Sequence, residues 1–204
     1  LSNWKTGNVK DMSGVFNGST SIQSLKGLEG WDTSNVILMP WLFQFDNNIT
    51  SLEPLSNWKT GNVKDMSGVF NGDTALQSLE GLEGWDTSKV VSMAWLFQFN
   101  KNITSIDPIG GWKTENVKDM SGAINDMESL KSLSPISGWD TKNVTKFPIM
   151  FAQLFKLDTF SPISDWNVSS AKDMTNMFQN TRNAKMLDIS KWNTSSVETG
   201  KELT

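Results

Sequence analysis

Residues 4–30 read WKTGNVKDMSGVFNGSTSIQSLKGLEG, and residues 31–57 read WDTSNVILMPWLFQFDNNITSLEPLSN. Both stretches begin with tryptophan, and further stretches of the same kind follow along the chain. The units start at Trp4, Trp31, Trp58, Trp85, Trp112, Trp139 and Trp166, with a partial unit at Trp192. Six of the intervals are 27 residues long and the last is 26. Such a period is typical of a solenoid, in which each unit buries its apolar side against its neighbours.

Two apolar patterns recur inside each unit, counted from its tryptophan as position 0. Positions +5, +8 and +12 carry Val9, Met12 and Phe16 in the first unit, and this i, i+3, i+7 spacing predicts a short helix. The second half carries L-x-x-L, as at Leu25 and Leu28, which predicts a short strand or an extended turn that stacks on its copies in adjacent coils. We therefore expect residues 1–204 to form a single right-handed solenoid domain, leucine-rich-repeat-like, with one short helix and one strand-like segment in each stacked coil.

A second period of 54 residues is superimposed on the first. The string LSNWKTGNVKDMSGVFNG occurs intact at residues 1–18 and 55–72, so pairs of units have been duplicated. Odd and even units differ most at positions +10 and +14. The first unit has Gly14 and Gly18 there, whereas the two matching even units have large rings, namely Trp41, Phe45, Trp95 and Phe99.

These four rings are the candidate binding residues. If they are exposed, they form a row of flat apolar surfaces suited to a sugar ring or to the centre of a protein interface. The alternative is packing, in which each ring fills the space above a glycine of a neighbouring coil. Solvent exposure of Trp41, Phe45, Trp95 and Phe99 distinguishes the two interpretations.

Composition argues against catalysis. The chain has no cysteine and no histidine, which removes thiolate chemistry, zinc–thiolate sites and the most common general base. Asp11, Asp65, Asp119 and Asp173 recur as a ladder, whereas a glycosidase needs one asymmetric pair of carboxyls in a cleft. We interpret the ladder as solvated charges, with weak calcium binding as the alternative. The sequence thus predicts no enzyme, no metal site and no cofactor.

Charge and hydropathy limit the partners. With 18 basic and 22 acidic residues the formal charge is −4, and we find no basic stripe in the sequence, so nucleic acid is not an expected partner. The longest apolar run, residues 147–155, is too short to cross a bilayer. Because the chain opens at Leu1 beside a repeat tryptophan and shows no capping unit, we expect a segment of a longer protein, with homo-association through uncapped ends as a possibility.

The strings WDTSNVILMPWLF at 31–43 and WDTSKVVSMAWLF at 85–97 resemble the repeat of BspA-family leucine-rich surface proteins. The resemblance implies an extracellular or cell-surface protein with a role in adhesion, and the family has no catalytic residues. The rings at +10 and +14 depart from the family pattern. We expect a non-enzymatic domain that recognises a protein or glycan on another cell or on matrix. The alternative function is that of a structural spacer or a self-assembling subunit.

Overall fold

The computed structural model describes residues 1–200, and in it each repeat unit forms one coil of the chain. Residues 201–204, the end of the partial unit that starts at Trp192, lie outside the described residues. Neighbouring coils meet through parallel β-bridges at position +7, and a further bridge at +20 joins Thr159 to Met186. The bridges at +7 link, in order, Asp11, Leu38, Asp65, Ser92, Asp119, Lys146, Asp173 and Thr199. Since every bridge joins equivalent positions of consecutive units, the coils lie directly above one another, and the chain is a repeat protein.

The expected short helix does not form in any coil within residues 1–200, and this prediction is wrong. The backbone N–H groups at +8, +10 and +12 donate to the next coil instead of to the preceding helical turn: Met12 to Leu38, Gly14 to Pro40 and Phe16 to Leu42, with N···O distances of 2.8–2.9 Å. Between these residues, tight turns close through hydrogen bonds from a backbone N–H to the carbonyl three residues earlier, such as Val15 to Met12. Successive turns bring every third or fourth side chain inward, which reproduces helical spacing without a helix.

The expected strand-like segment is also wrong, because residues 1–200 contain isolated bridges and no longer strand. The regular structure in this part of the chain consists of short 3₁₀ helices in the L-x-x-L region. They span Glu53–Leu55, Asp107–Ile109, Ser134–Ile136 and Ser161–Ile163. Each has proline as its second residue, where the missing N–H has no helical partner to lose and the fixed φ suits a first turn.

The repeat tryptophans form the spine of the core. The rings of Trp31 and Trp58 stack with centroids 6.2 Å apart and planes inclined by 5°. The indole Nε1 of Trp58 also donates to the carbonyl of Leu28 at 3.0 Å, and this bond recurs in later coils. Trp4, in the first coil, is 58% exposed, whereas the other repeat tryptophans are buried. A second column of stacked phenylalanines runs at +12 beside the first.

Candidate ligand groove

Positions +10 and +14 have the same unusual backbone in all seven full coils. They adopt a left-handed conformation, with φ near +60° whether the residue is glycine or not. Trp41, Phe45, Trp95 and Phe99 take φ values of 58°, 61°, 61° and 67°. For residues with a Cβ this region costs roughly 1–2 kcal/mol each, and large aromatic residues rarely occupy it. The four candidate residues therefore hold strained backbone positions that glycine occupies in the first and third coils.

Each of three rings lies over a glycine of the following coil. A Cβ atom added to Gly68 would lie 1.8 Å from Cε3 of Trp41, and one added to Gly72 would lie 2.2 Å from Cδ1 of Phe45. The same relation holds for Gly122, where the added atom would lie 2.2 Å from Cε3 of Trp95. Glycine is needed here because a side chain would occupy the space of the ring. This contact is the packing that the sequence offered as one interpretation.

The same rings also face solvent. Phe45 is 44% exposed, and Trp41, Trp95 and Phe99 are partly buried. They border an open groove of about 280 Å³, which is completed by Gln44, Asn71 and Gln98. We call these seven residues the aromatic groove. Packing and exposure thus coexist, because Trp41, Phe45 and Trp95 each cover a glycine of the next coil and also line the groove.

The three amides that line the aromatic groove belong to a ladder of Asn and Gln side chains at +13, which the sequence pattern alone did not reveal as a site. The Nδ2 of Asn17 donates to Oε1 of Gln44 at 2.8 Å. Further along, Nδ2 of Asn71 donates to Oε1 of Gln98, and Nε2 of Gln98 donates to Oδ1 of Asn125, both at 2.8 Å. The signal in the sequence was an Asn or Gln at +13 in six of the seven full units, Ala152 being the exception.

Two carboxyls at +15 are buried, Asp46 and Asp73. Asp46 accepts from the backbone N–H of Ser19 at 2.6 Å, and Asp73 accepts from that of Asp46 at 2.9 Å. Within the described residues, Oδ2 of each aspartate has no hydrogen-bond partner. Burial raises the pKa of Asp46 to about 6 and that of Asp73 to about 9. Loss of hydration disfavours the charged form, and one hydrogen bond to each carboxylate only partly offsets that loss.

The aspartate ladder stabilises turns. In each case Oδ1 accepts the backbone N–H two residues later: Asp11 from Ser13 at 2.8 Å and Asp119 from Ser121 at 2.9 Å, for example. Residues 1–200 hold no group of three or more Asp, Glu, His or Cys side chains arranged for a metal ion. Likewise, none of the helices formed by these residues is long and apolar enough to cross a membrane.

Stacking also brings together lysines that are far apart in the sequence. Lys10, Lys64 and Lys89 border a shallow depression with Asn35 and Asn62, and Nζ of Lys89 donates to Oδ1 of Asn62 at 2.7 Å. No basic stripe is visible in the sequence because these lysines lie in different units. The expectation that nucleic acid is not a partner stays a prediction.

Comparison with known protein families shows that repeated matches to a family model extend over almost the whole chain. A family model described as "Mycoplasma protein of unknown function, DUF285" matches the chain three times, at residues 1–105, 42–132 and 92–203. The overlapping matches agree with the repeat seen in the structure. A search among curated proteins finds no match.

Proposed function

The chain belongs to the DUF285 family, and from this premise we propose that it is a non-enzymatic recognition domain that binds its partner through the aromatic groove. The partner class is a protein or a glycan on another cell or on matrix. The observation that carries the proposal is the strained, partly exposed set of rings. Glycine fits positions +10 and +14 without strain in the first and third coils, so the backbone conformation does not favour Trp41 and Trp95.

Two finer statements belong to the same proposal. We infer that the coils form a right-handed solenoid related to leucine-rich repeats, supported by parallel stacking at +7 and by buried leucines such as Leu52 and Leu79 in the second half of each coil. We place the protein at the cell surface, and the support is the resemblance of WDTSNVILMPWLF at 31–43 to the BspA-family repeat.

The test compares adhesion of beads coated with the chain and with the double variant Trp41→Gly/Trp95→Gly. Glycine suits the left-handed backbone at both positions, so the variant keeps the fold while it loses both indoles. The surfaces are monolayers of cultured epithelial cells and immobilised matrix proteins and glycans. We expect the wild-type beads to adhere and the double variant to lose most of this adhesion.

The matched control is Val91→Ser, which removes an exposed apolar side chain outside the aromatic groove and is expected to leave adhesion unchanged. Equal adhesion of the double variant and the wild type would contradict the proposal. Failure of the wild-type beads to adhere to any surface would also contradict it and would favour the spacer role. Concentration-dependent mass in sedimentation would then identify a self-assembling subunit.

A further inference from the structure

The ladder of amides at +13 is interrupted inside the aromatic groove. Asn17 is bonded to Gln44, and Asn71 is bonded to Gln98, but no hydrogen bond joins Gln44 to Asn71. Among residues 1–200, neither Nε2 of Gln44 nor Oδ1 of Asn71 makes a hydrogen bond, although Asn71 as a whole is only 3% exposed. One donor group and one acceptor stand on neighbouring coils between the two Trp–Phe pairs.

The indole rings of Trp41 and Trp95 line the same groove as the two amides at this interruption. Trp41 and Trp95 occupy the same position two coils apart, which corresponds to about 10 Å at the usual spacing of stacked chains. Each is accompanied four residues later by a phenylalanine, so two apolar platforms alternate with one polar step along the stack. A ligand that fills the groove presents flat apolar faces and hydrogen-bonding groups in alternation.

The lining is also uncharged. Aromatic rings and amides alone border the groove, and Asp46 and Asp73, each one residue after position +14 in its unit, are fully buried. Such a surface offers no ion pair to a charged polymer, which favours a neutral ligand. It does offer one amide N–H donor and one carbonyl acceptor to hydroxyl groups, and each hydroxyl group can both donate and accept a hydrogen bond.

We infer that the aromatic groove binds a neutral polysaccharide chain, with sugar rings stacked on Trp41 and Trp95 and hydroxyl groups bonded to Gln44 and Asn71. A pyranose carries an apolar C–H face and a rim of hydroxyls in every unit, and this combination matches the alternation of platforms and amides. An extended peptide supplies backbone donors and acceptors but no regular flat face unless it is rich in proline. The inference rests on the proposed recognition function and names its ligand class.

The experiment is a titration of the whole chain, followed by tryptophan fluorescence, with neutral hexose oligosaccharides of increasing length. The probes are β-1,4-linked glucose, N-acetylglucosamine and mannose oligomers, with oligoproline and hyaluronan fragments as competitors of other chemistry. We expect at least one neutral series to shift the emission. Its affinity should rise once the chain is long enough to reach from Trp41 to Trp95.

Variants assign the contacts. Trp95→Gly should abolish the dependence on length while it leaves weak binding at Trp41. Gln44→Ala or Asn71→Ala should each weaken binding about tenfold, the usual effect of losing one hydrogen bond to a ligand. Gln179→Ala, which removes an amide at the same repeat position outside the groove, serves as the control and should bind like the wild type.

The outcomes separate this inference from the recognition proposal. The polysaccharide inference fails if no neutral oligosaccharide shifts the emission, or if Gln44→Ala and Asn71→Ala bind as tightly as the wild type. Oligoproline binding that Trp41→Gly/Trp95→Gly removes would overturn the sugar ligand and retain recognition by the groove. Oligosaccharide binding that depends on the two tryptophans, combined with unchanged bead adhesion of their double variant, would support the inference and contradict the adhesion role.

Discussion

At the scale of single residues, position +10 shows how a steric requirement and a backbone requirement coincide. Gly14 and Gly68 have nearly the same φ, 62° and 61°, but they differ in surroundings. An added Cβ on Gly14 would approach only Cβ of Asn17, at 3.7 Å, whereas on Gly68 it would enter the ring of Trp41. The two glycines thus separate the cost of a left-handed backbone from the cost of overlap with an indole.

We expect Gly68→Ala to lower the free energy of unfolding more than Gly14→Ala does. The second change meets only the backbone cost of roughly 1–2 kcal/mol, and the first adds an overlap cost of roughly 1–3 kcal/mol. In a Trp41→Gly background, Gly68→Ala should lose that extra cost. Urea denaturation of the four members of this cycle provides the measurement, and simple additivity of the two changes would show that the ring does not pack on Gly68.

The residue pattern predicted the aromatic rings as candidate binding residues but did not predict the amides, and both outcomes have physical reasons. Trp41 and Trp95 stand out because large residues alternate with glycine, so the sequence alone identified them and offered both packing and exposure. Gln44 and Asn71 do not stand out, since Asn and Gln are frequent throughout the chain. The interruption between them depends on which side-chain atoms meet after stacking, and no spacing in the sequence reports that.

At the scale of the coil, threonine at +2 joins neighbouring units to different extents. Thr33 Oγ1 donates to the carbonyl of Lys59 at 3.2 Å and accepts its backbone N–H at 2.8 Å. Thr60 makes one bond of this kind, a donation to the carbonyl of Asp86 at 3.1 Å. Among residues 1–200, the buried Oγ1 of Thr6 has no hydrogen-bond partner. One repeat position therefore provides two, one and no bonds between coils.

Replacement of these threonines by valine should follow the number of bonds. Thr33→Val should cost roughly 1–3 kcal/mol because a part-buried N–H and a part-buried carbonyl lose their partners, and Thr60→Val should cost less. Thr6→Val removes an unsatisfied hydroxyl and should be neutral or stabilising. Thermal unfolding of the three variants checks the order, and equal losses at all three positions would contradict it.

The secondary structure of each coil was harder to predict from the sequence than the repeat period. Apolar residues at +5, +8 and +12 match a helical face, but the backbone forms consecutive turns whose N–H groups bond to the next coil. The sequence records which side chains point inward and not where the backbone hydrogen bonds go. A helix and a stack of left-handed turns bury the same residues, so periodicity alone did not distinguish them.

At the scale of the whole molecule, the buried carboxyls link stability to pH. The ordinary pKa of aspartate is taken as 3.8, and in the folded chain Asp46 and Asp73 reach about 6 and about 9. At pH values between 3.8 and the raised pKa of each group, the folded chain retains a carboxyl proton that the unfolded chain has released. The contribution of both groups to the free energy of unfolding is therefore fully present below about pH 4 and declines as the pH rises through 6 and towards 9.

We expect Asp73→Asn to stabilise the protein at about pH 8 and to have little effect near pH 4. Asparagine already occupies this position in the next coil, where Nδ2 of Asn100 donates to the carbonyls of Phe70 and Phe97 at 2.7 and 2.9 Å. The control is Asp11→Asn, which should not stabilise at either pH, because hydrogen bonds from Ser13 hold the pKa of Asp11 below its usual value. Denaturation curves at both pH values decide, and a loss of stability in Asp73→Asn at pH 8 would refute the assignment.

The packing of Trp41 over Gly68 restricts how the number of repeat units can change between copies of the gene. A gene with near-identical blocks gains and loses copies by unequal recombination. Removal of residues 58–84 alone would place the indole of Trp41 against Trp95, where no space exists for it. Removal of the 54 residues 58–111 instead brings it over Gly122, which already accommodates an indole. Viable alleles should therefore differ by whole pairs of coils, and each step should add or subtract one Trp–Phe platform.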